Sequence, residues 1–253
     1  MPPPLRALLA AAAVVVVGCG SGFDEQKETV RPLKVAHALG ESKVPGQAKR
    51  PLALSDGGLD AILALGVRPV GALLPGGALP AYLARRGAGA EVKPPLVAAH
   101  LLGVEVLDPD LILGAKRTQG RLYERLSEIA PTVLSDVPAQ TDWKLDLRLF
   151  GEALGRTNQA EGLLTGWDET AARARHALRG VRARKVAVVG ADRRGAATPE
   201  SFAGHVVADA GFEPTGTKTA DVVLRVHDSA WWRGDGVLAA RAALADLRRR
   251  LLR

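Results

Sequence analysis

The chain has 253 residues, of which 47% are apolar and 24% are charged, and its formal net charge is +7. This balance is typical of a folded globular protein and argues against a disordered chain, and the single cysteine excludes an internal disulfide. Since the arginines are scattered except at the carboxy terminus, where we interpret the run as a solvated helix end, no nucleic-acid partner is predicted.

The amino terminus has the features of an export signal. Arg6 precedes an apolar stretch at 7–17, which is shorter than the roughly 20 residues that a membrane-spanning helix needs. It fits the apolar core of a signal peptide covering residues 1–18. The stretch ends in VVGC, which resembles the lipobox of bacterial lipoproteins and implies a lipid on Cys19. We therefore predict an extracytoplasmic protein, lipid-anchored to the bacterial cell membrane.

The next part of the chain predicts a tether followed by an α/β lobe. Residues 19–49 are polar and are predicted to be the lipidated amino terminus and tether. Apolar runs then alternate with helical patterns. The predicted strands are 51–55, 69–74, 110–115 and 131–136, and the predicted helices are 59–65 and a stretch around 122–129. This alternation indicates parallel βαβ units in an amino-terminal lobe at 50–157.

The middle of the chain predicts one long helix. From Ala160 to Leu178 apolar residues recur at intervals of 3, 4, 4, 3 and 4, which favours a helix at 158–180 with Trp167 in the core. The later elements are a strand at 185–191, a helix at 201–210, a strand at 221–227 and a helix at 238–251. The predicted fold class is α/β, with two lobes of mainly parallel sheet joined by one long helix and a shortened carboxy-terminal lobe at 181–253. Ligands are expected in the cleft between the lobes.

Five segments carry a family resemblance. They are LALGVRPVGA (63–72), PDLILGAKRTQGRLYERLSEIAPTV (109–133), DWKLDLRLFGEALGRTNQAEGLL (142–164), SFAGHVVADAGF (201–212) and WWRGDGVLAARAALADLRRRL (231–251). In this order they resemble the ferric-siderophore and cobalamin class of periplasmic binding proteins. The resemblance implies a rigid, monomeric two-lobed receptor that delivers a ferric chelate to the permease of an ABC importer. Because the iron arrives fully coordinated, it also implies no protein metal ligand and no cofactor.

Such a receptor needs aromatic surface and cationic side chains around the ligand. The residues at strand ends that we predict to bind it are Tyr82, Arg85, Lys116, Arg117, Trp143, Arg193, Arg194 and Trp231. The alternatives are a solvated loop for the Lys116–Arg117 pair and core packing for the two tryptophans.

The remaining patterns point away from an enzyme. The five histidines are dispersed, so no metal site is predicted. The run VVGADRRG at 188–195 lacks the spacing of a dinucleotide-binding loop. Ser201 and His205 lie one helical turn apart, but no carboxylate can be assigned to orient the histidine. No catalytic residue is predicted.

The sequence also departs from the family. The carboxy-terminal lobe is short, and the position of a glutamate that docks the permease falls near Leu102, with Glu105 only a displaced substitute. Two alternatives therefore stay open: a degenerate or repurposed binding protein that acts as a protein-interaction module, and a receptor for haem or cobalamin.

Overall fold

The computed structural model describes residues 31–94, 101–136, 142–190, 196–227 and 229–252. The predicted signal peptide and Cys19 lie outside these ranges. No helix among the described residues is long and apolar enough to cross a membrane.

The amino-terminal lobe is built on a five-stranded parallel sheet. Its strands are β3 (Pro51–Ala53), β4 (Gly71–Leu73), β5 (Val92–Lys93), β6 (Leu111–Ala115) and β7 (Thr132–Ser135), in the order β5-β4-β3-β6-β7. Its helices are α1 (Asp56–Ala64), α2 (Leu101–Val106), α3 (Lys116–Gln119) and α4 (Tyr123–Ile129). The central strands are short apolar runs because helices cover both faces of a parallel sheet. Four strands and two helices occur where the sequence predicted them.

Part of the predicted tether is folded. Strands β1 (Leu33–His37) and β2 (Gly40–Val44) form an antiparallel hairpin, with Val35 and Val44 in the core. The Ser42 hydroxyl donates a hydrogen bond to the backbone carbonyl of Thr132 at 2.7 Å. The hairpin was not predicted because most of its outward residues are polar, and the segment was therefore interpreted as a linker.

Two antiparallel helices follow the first sheet. Helix α5 covers Trp143–Ala153 and helix α6 covers Thr157–Ala177, close to the predicted long helix. The buried residues of α6 include Ala160, Trp167 and Ala174, which confirms the predicted apolar face. Trp167 packs edge-on against Trp143 at 5.5 Å between ring centroids, so α6 joins the core of the chain.

The carboxy-terminal lobe has a three-stranded parallel sheet of order β10-β8-β9. Its elements are β8 (Lys185–Gly190), α7 (Phe202–Asp209), β9 (Glu213–Pro214), β10 (Val222–Val226), α8 (Ser229–Trp232) and α9 (Val237–Leu251). Helix α9 contacts α1 as well as α6 and α7. One continuous cluster of buried apolar residues therefore runs from Leu59 of α1 to Leu247 of α9 through both lobes. The last helix is a second link between the lobes beside α6.

Candidate functional site

The candidate site lies at the carboxyl edge of the first sheet. Strands β3, β4, β6 and β7 are parallel, so the loops that follow them gather at one edge. In open α/β sheets ligands bind in the crevice outside this edge. The second sheet turns the end of β10 toward the same place, since Ser229 accepts a hydrogen bond from the backbone N–H of Ala81 at 3.0 Å.

One half of this edge is held by Arg233 of the carboxy-terminal lobe. Its guanidinium donates two hydrogen bonds to the Asp56 carboxylate, at 3.2 and 2.8 Å, and a third to the backbone carbonyl of Ala78 at 3.3 Å. Burial raises the pKa of Asp56, and the Arg233 charge opposes that rise. Because the arginine pairs bidentately with a largely buried carboxylate, it ties the two lobes together at the ends of β3 and β4.

Behind this pair, Asp60 of α1 caps helix α9. Its carboxylate accepts hydrogen bonds from the backbone N–H groups of Leu238 and Ala239, both at 3.0 Å. Burial raises the pKa of Asp60 to about 7, although these two N–H groups lower it and the nearby Asp235 raises it further. The first turn of a helix leaves its N–H groups unsatisfied, so a side chain from the other lobe completes α9. The contact fixes the distance between the lobes.

A cavity of about 520 Å³ opens between the two lobes beside Arg233. Its walls are Leu79, Pro80 and Ala81 from the loop after β4, His227 and Ser229 after β10, and Asp246, Arg249 and Arg250 from α9. Both loops follow carboxyl ends of strands, so this interlobe cavity occupies the crevice where a ligand is expected. Its charged lining consists of three guanidinium groups, from Arg233, Arg249 and Arg250, and the one carboxylate of Asp246, so it is basic.

The arginines of α9 were not predicted as site residues. Arg249 and Arg250 donate hydrogen bonds to Asp246, at 2.5 and 2.7 Å, and the Asp246 carboxylate also accepts one from the indole of Trp231 at 3.1 Å. The predicted solvated helix end is therefore organised as a wall of the interlobe cavity. A basic residue four positions after an acidic one was the available sequence signal, but it fits any exposed helix equally well.

The other half of the carboxyl edge carries two predicted ligand residues. Lys116 and Arg117 begin α3 directly after β6, and Lys116 forms an ion pair with Asp136 at 3.2 Å. Arg117 is exposed and forms no ion pair with another described residue. Gln119 holds this corner in place, since its amide accepts from the N–H of Ala115 at 2.9 Å and donates to the carbonyl of Leu54 at 3.1 Å. The geometry leaves Arg117 free to contact a ligand.

Two predicted aromatic ligand residues lie in the core instead. Trp143 is fully buried, because it opens the amphipathic helix α5 and shares its inward face with Leu147 and Phe150. Trp231 is also buried, under α9. Neither ring lines the interlobe cavity, so the structure supports the core alternative for both.

The predicted pair Tyr82 and Arg85 is separated. Tyr82 lies in a 3-10 turn at Ala81–Leu83, and its hydroxyl is buried without a hydrogen-bond partner among the described residues. Burial, with Asp60 nearby, raises the pKa of Tyr82 well above its ordinary value, so the ring stays neutral. Arg85 follows the turn, where the chain returns toward the opposite edge of the sheet to begin β5. The predicted residues Arg193 and Arg194 lie outside the described residues.

The Ser201 hydroxyl and the His37 ring both make hydrogen bonds that have a structural role. The Ser201 hydroxyl accepts from the N–H of Gly204 at 3.1 Å and caps α7. His37 accepts from the N–H of Leu39 through Nδ1 at 3.3 Å, so its Nε2 carries the proton that points at Ser42, 2.9 Å away. That histidine cannot serve as a base for Ser42. Among the described residues, no group of three or more His, Cys, Asp or Glu side chains could hold a metal ion.

Comparison with known proteins finds a family to which part of this chain is similar. The model of the family described as "Periplasmic binding protein" matches residues 104–228, a range that includes α6 and parts of both lobes. Over these residues the chain is similar to the periplasmic binding protein family. The "Probable siderophore-binding lipoprotein YfiY" of Bacillus subtilis (strain 168) is 31% identical to this chain over 169 residues, which are 62% of this chain and 50% of that one. The "Petrobactin-binding protein YclQ" of the same organism is 29% identical over 177 residues, which are 63% and 53% of the two chains.

Solved structures show the same fold. Staphylococcus aureus SirA complexed with staphyloferrin B aligns with a TM-score of 0.73 at 22% identity, covering 87% of this chain and 98% of that chain. A periplasmic solute binding protein from Mycobacterium smegmatis aligns with a TM-score of 0.75 at 19% identity, with the same coverage. These matches confirm the predicted α/β fold of the chain. The chain spans about half the length of the curated relatives that it matches.

Proposed function

We propose that this binding protein captures an anionic ferric siderophore in the interlobe cavity and passes it to the permease of an ABC importer. The observation that carries the proposal is a cavity of about 520 Å³ at the carboxyl edges of both sheets, lined by Arg233, Arg249 and Arg250. Cavities of roughly 300–1,000 Å³ suit small-molecule ligands. A guanidinium keeps its charge at any physiological pH and matches the geometry of carboxylate oxygens.

The relatives support the ligand class. YfiY and YclQ are named for binding siderophores, and the SirA structure holds staphyloferrin B. A chelated iron needs no ligand from the protein, so cationic side chains around the donor oxygens suffice. Since Trp143 and Trp231 are buried, the described cavity offers charge and a Leu79–Pro80 wall rather than an indole face. These observations favour the ferric-chelate proposal over haem, cobalamin or a protein-interaction module.

The location and the partner belong to the same proposal. Relatives named as lipoproteins support an extracytoplasmic protein held at the membrane by a lipid on Cys19. On the first lobe, the docking position at Leu102 is 73% exposed, and Val106 one turn later is 83% exposed. Leu102 stands where an acidic side chain was expected, and the displaced Glu105 is exposed on the same helix. We therefore expect the salt-dependent part of permease docking on this lobe to come from Glu105.

Isothermal titration of the purified full chain in detergent, against ferric siderophores and the same siderophores without iron, tests the function. We expect saturable binding of one ferric complex with a Kd of about 1 μM or below. Haem and cobalamin are titrated in parallel. Saturation by either of these alone, or no binding by a demonstrably folded protein, would contradict the siderophore proposal.

Arg249→Ala should weaken binding of that ferric complex about tenfold, because it removes a charge-assisted hydrogen bond donor from the cavity wall. The Arg249 side chain is 60% exposed, so the fold should tolerate its loss. Arg182→Ala, which removes an exposed charge from the loop after α6, is the matched control. Equal affinities for the two variants would place the chelate elsewhere.

Arg117→Ala tests the other half of the edge. We expect a loss of affinity for an anionic chelate of about threefold to tenfold, since Arg117 is exposed and has no carboxylate partner among the described residues. The measurement is the same titration. Unchanged affinity would remove Arg117 from the site and confine the ligand to the interlobe cavity.

A further inference from the structure

A second basic cavity lies at the opposite edge of the first sheet. It measures about 460 Å³, and its lining includes Leu63, Val67, Arg68, Arg85 and Arg86. One wall, at 66–69, leads into the amino end of β4, and the other, at 85–90, leads into the amino end of β5. Because the two strands are parallel, both walls stand at the amino edge. The first sheet therefore separates this amino-edge cavity from the interlobe cavity.

The walls of the amino-edge cavity are held by backbone hydrogen bonds. In one wall, the N–H of Gly87 donates to the carbonyl of Leu83 at 2.8 Å, and the N–H of Ala90 donates to the carbonyl of Gly87 at 3.0 Å. In the other wall, the N–H of Val67 donates to the carbonyl of Ile62 at 3.0 Å. The cavity is thus a fixed feature of two short loops rather than a gap between long side chains.

The charges in this cavity are unbalanced. Arg68, Arg85 and Arg86 are all exposed, and none forms an ion pair with another described residue, whereas neighbouring Lys93 pairs with Glu91 at 3.0 Å. Three guanidinium groups around one cavity repel each other, and an anion between them removes that repulsion. Leu63 and Val67 are buried and give the cavity an apolar floor.

We propose that the amino-edge cavity binds a phosphate group carried on a small organic body. Planar guanidinium groups bind phosphate oxygens through paired hydrogen bonds, and a spherical anion such as chloride cannot accept hydrogen bonds in this paired geometry. The volume exceeds what inorganic phosphate fills, and the apolar floor accommodates a few carbon atoms. A soluble phosphate ester and the headgroup of an anionic phospholipid share this chemistry.

The test is isothermal titration of the full chain in a zwitterionic detergent at low ionic strength. Two probes distinguish the sources: glycerol 3-phosphate represents soluble phosphate esters, and glycerophosphoglycerol represents the phosphodiester of a phospholipid headgroup. The test variant is Arg68→Gln with Arg86→Gln. The control, Arg179→Gln with Arg182→Gln, removes two exposed charges near the end of α6. For whichever probe binds the wild type, we expect the test variant to lower the affinity about tenfold or more. The control variant should leave that affinity unchanged.

Each outcome bears on the proposal. Binding of the monoester alone supports a soluble ligand, and binding of the diester supports a lipid headgroup. Absence of binding by both probes, or equal weakening by the control variant, overturns the proposal. The test variant should keep the affinity for the ferric complex, since the two cavities lie at opposite edges, so a failure here is separate from a failure of the chelate proposal.

Discussion

Asp60→Ala should lower the free energy of unfolding by about 3 kcal/mol, because it leaves one buried and one part-buried N–H group of α9 without an acceptor. The carboxylate lies in α1 and accepts from Leu238 and Ala239 in the other lobe, both at 3.0 Å. No water can replace it easily, since Asp60 and Ala239 are fully buried. The loss should therefore loosen the contact between the lobes as well as the helix end.

Urea denaturation followed by circular dichroism measures this change. Asp168→Ala, at an exposed position of α6, is the control and should shift stability by less than about 0.5 kcal/mol. Asp60→Asn keeps one acceptor oxygen, so its free energy of unfolding should lie between those of the wild type and Asp60→Ala. If Asp60→Ala were as stable as the control, the cap would contribute nothing, and the fixed spacing of the lobes would have another cause.

The protein should lose stability as the pH rises from about 4 to about 7. Burial raises the pKa of Asp60 and that of Asp146 to about 7, from an ordinary value near 3.8. Asp235 raises both further, while the Ser135 hydroxyl, which donates to Asp146, lowers the second. Across this interval the folded chain holds protons that the unfolded chain has released, so stability falls with rising pH. One pKa unit corresponds to about 1.4 kcal/mol, so each of the two groups lowers the free energy of unfolding by at most about 4 kcal/mol over this interval.

The check is the free energy of unfolding measured between pH 4 and pH 8. Asp146→Asn should flatten the slope by about half, and Asp168→Asn should leave it unchanged. At the acid end Asp221 makes stability fall as the pH falls, because hydrogen bonds from the backbone N–H groups of Lys185 and Arg184 lower its pKa. A stability that rises steadily from pH 4 to pH 7 would show that these two carboxyls ionise normally in the folded protein.

The local pattern of apolar residues predicted those strands and helices that have a continuous buried face. The strands 110–115 and 131–136 were found because a parallel strand covered on both faces is a short apolar run, and the structure has β6 and β7 there. The α6 helix was found because apolar residues recur on one side of it over about five turns. The position of Lys116 and Arg117 at a carboxyl edge followed from the same periodicity, while their role as ligand residues stays a prediction.

Only the tertiary structure shows which of the predicted ligand residues are buried in the core and which lie near a cavity. Trp143 and Trp231 stand at loop-to-helix positions that suit a cleft equally well, and only packing against Trp167 and α9 puts them in the core. Arg85 was predicted beside the ligand, but the turn at Ala81–Leu83 carries it to the other edge of the sheet.

The sequence by itself determined the fold class, the order of most elements and the resemblance to periplasmic binding proteins, because hydrophobic periodicity is written in neighbouring residues. Only the tertiary structure revealed the Asp60 cap, the Arg233–Asp56 pair and the two basic cavities. The partners of Asp60 lie 178 and 179 residues away along the chain, and Asp56 lies 177 residues from Arg233. Contacts at such separations leave no local pattern, since each side chain alone is as typical of a solvated surface as of a buried pair.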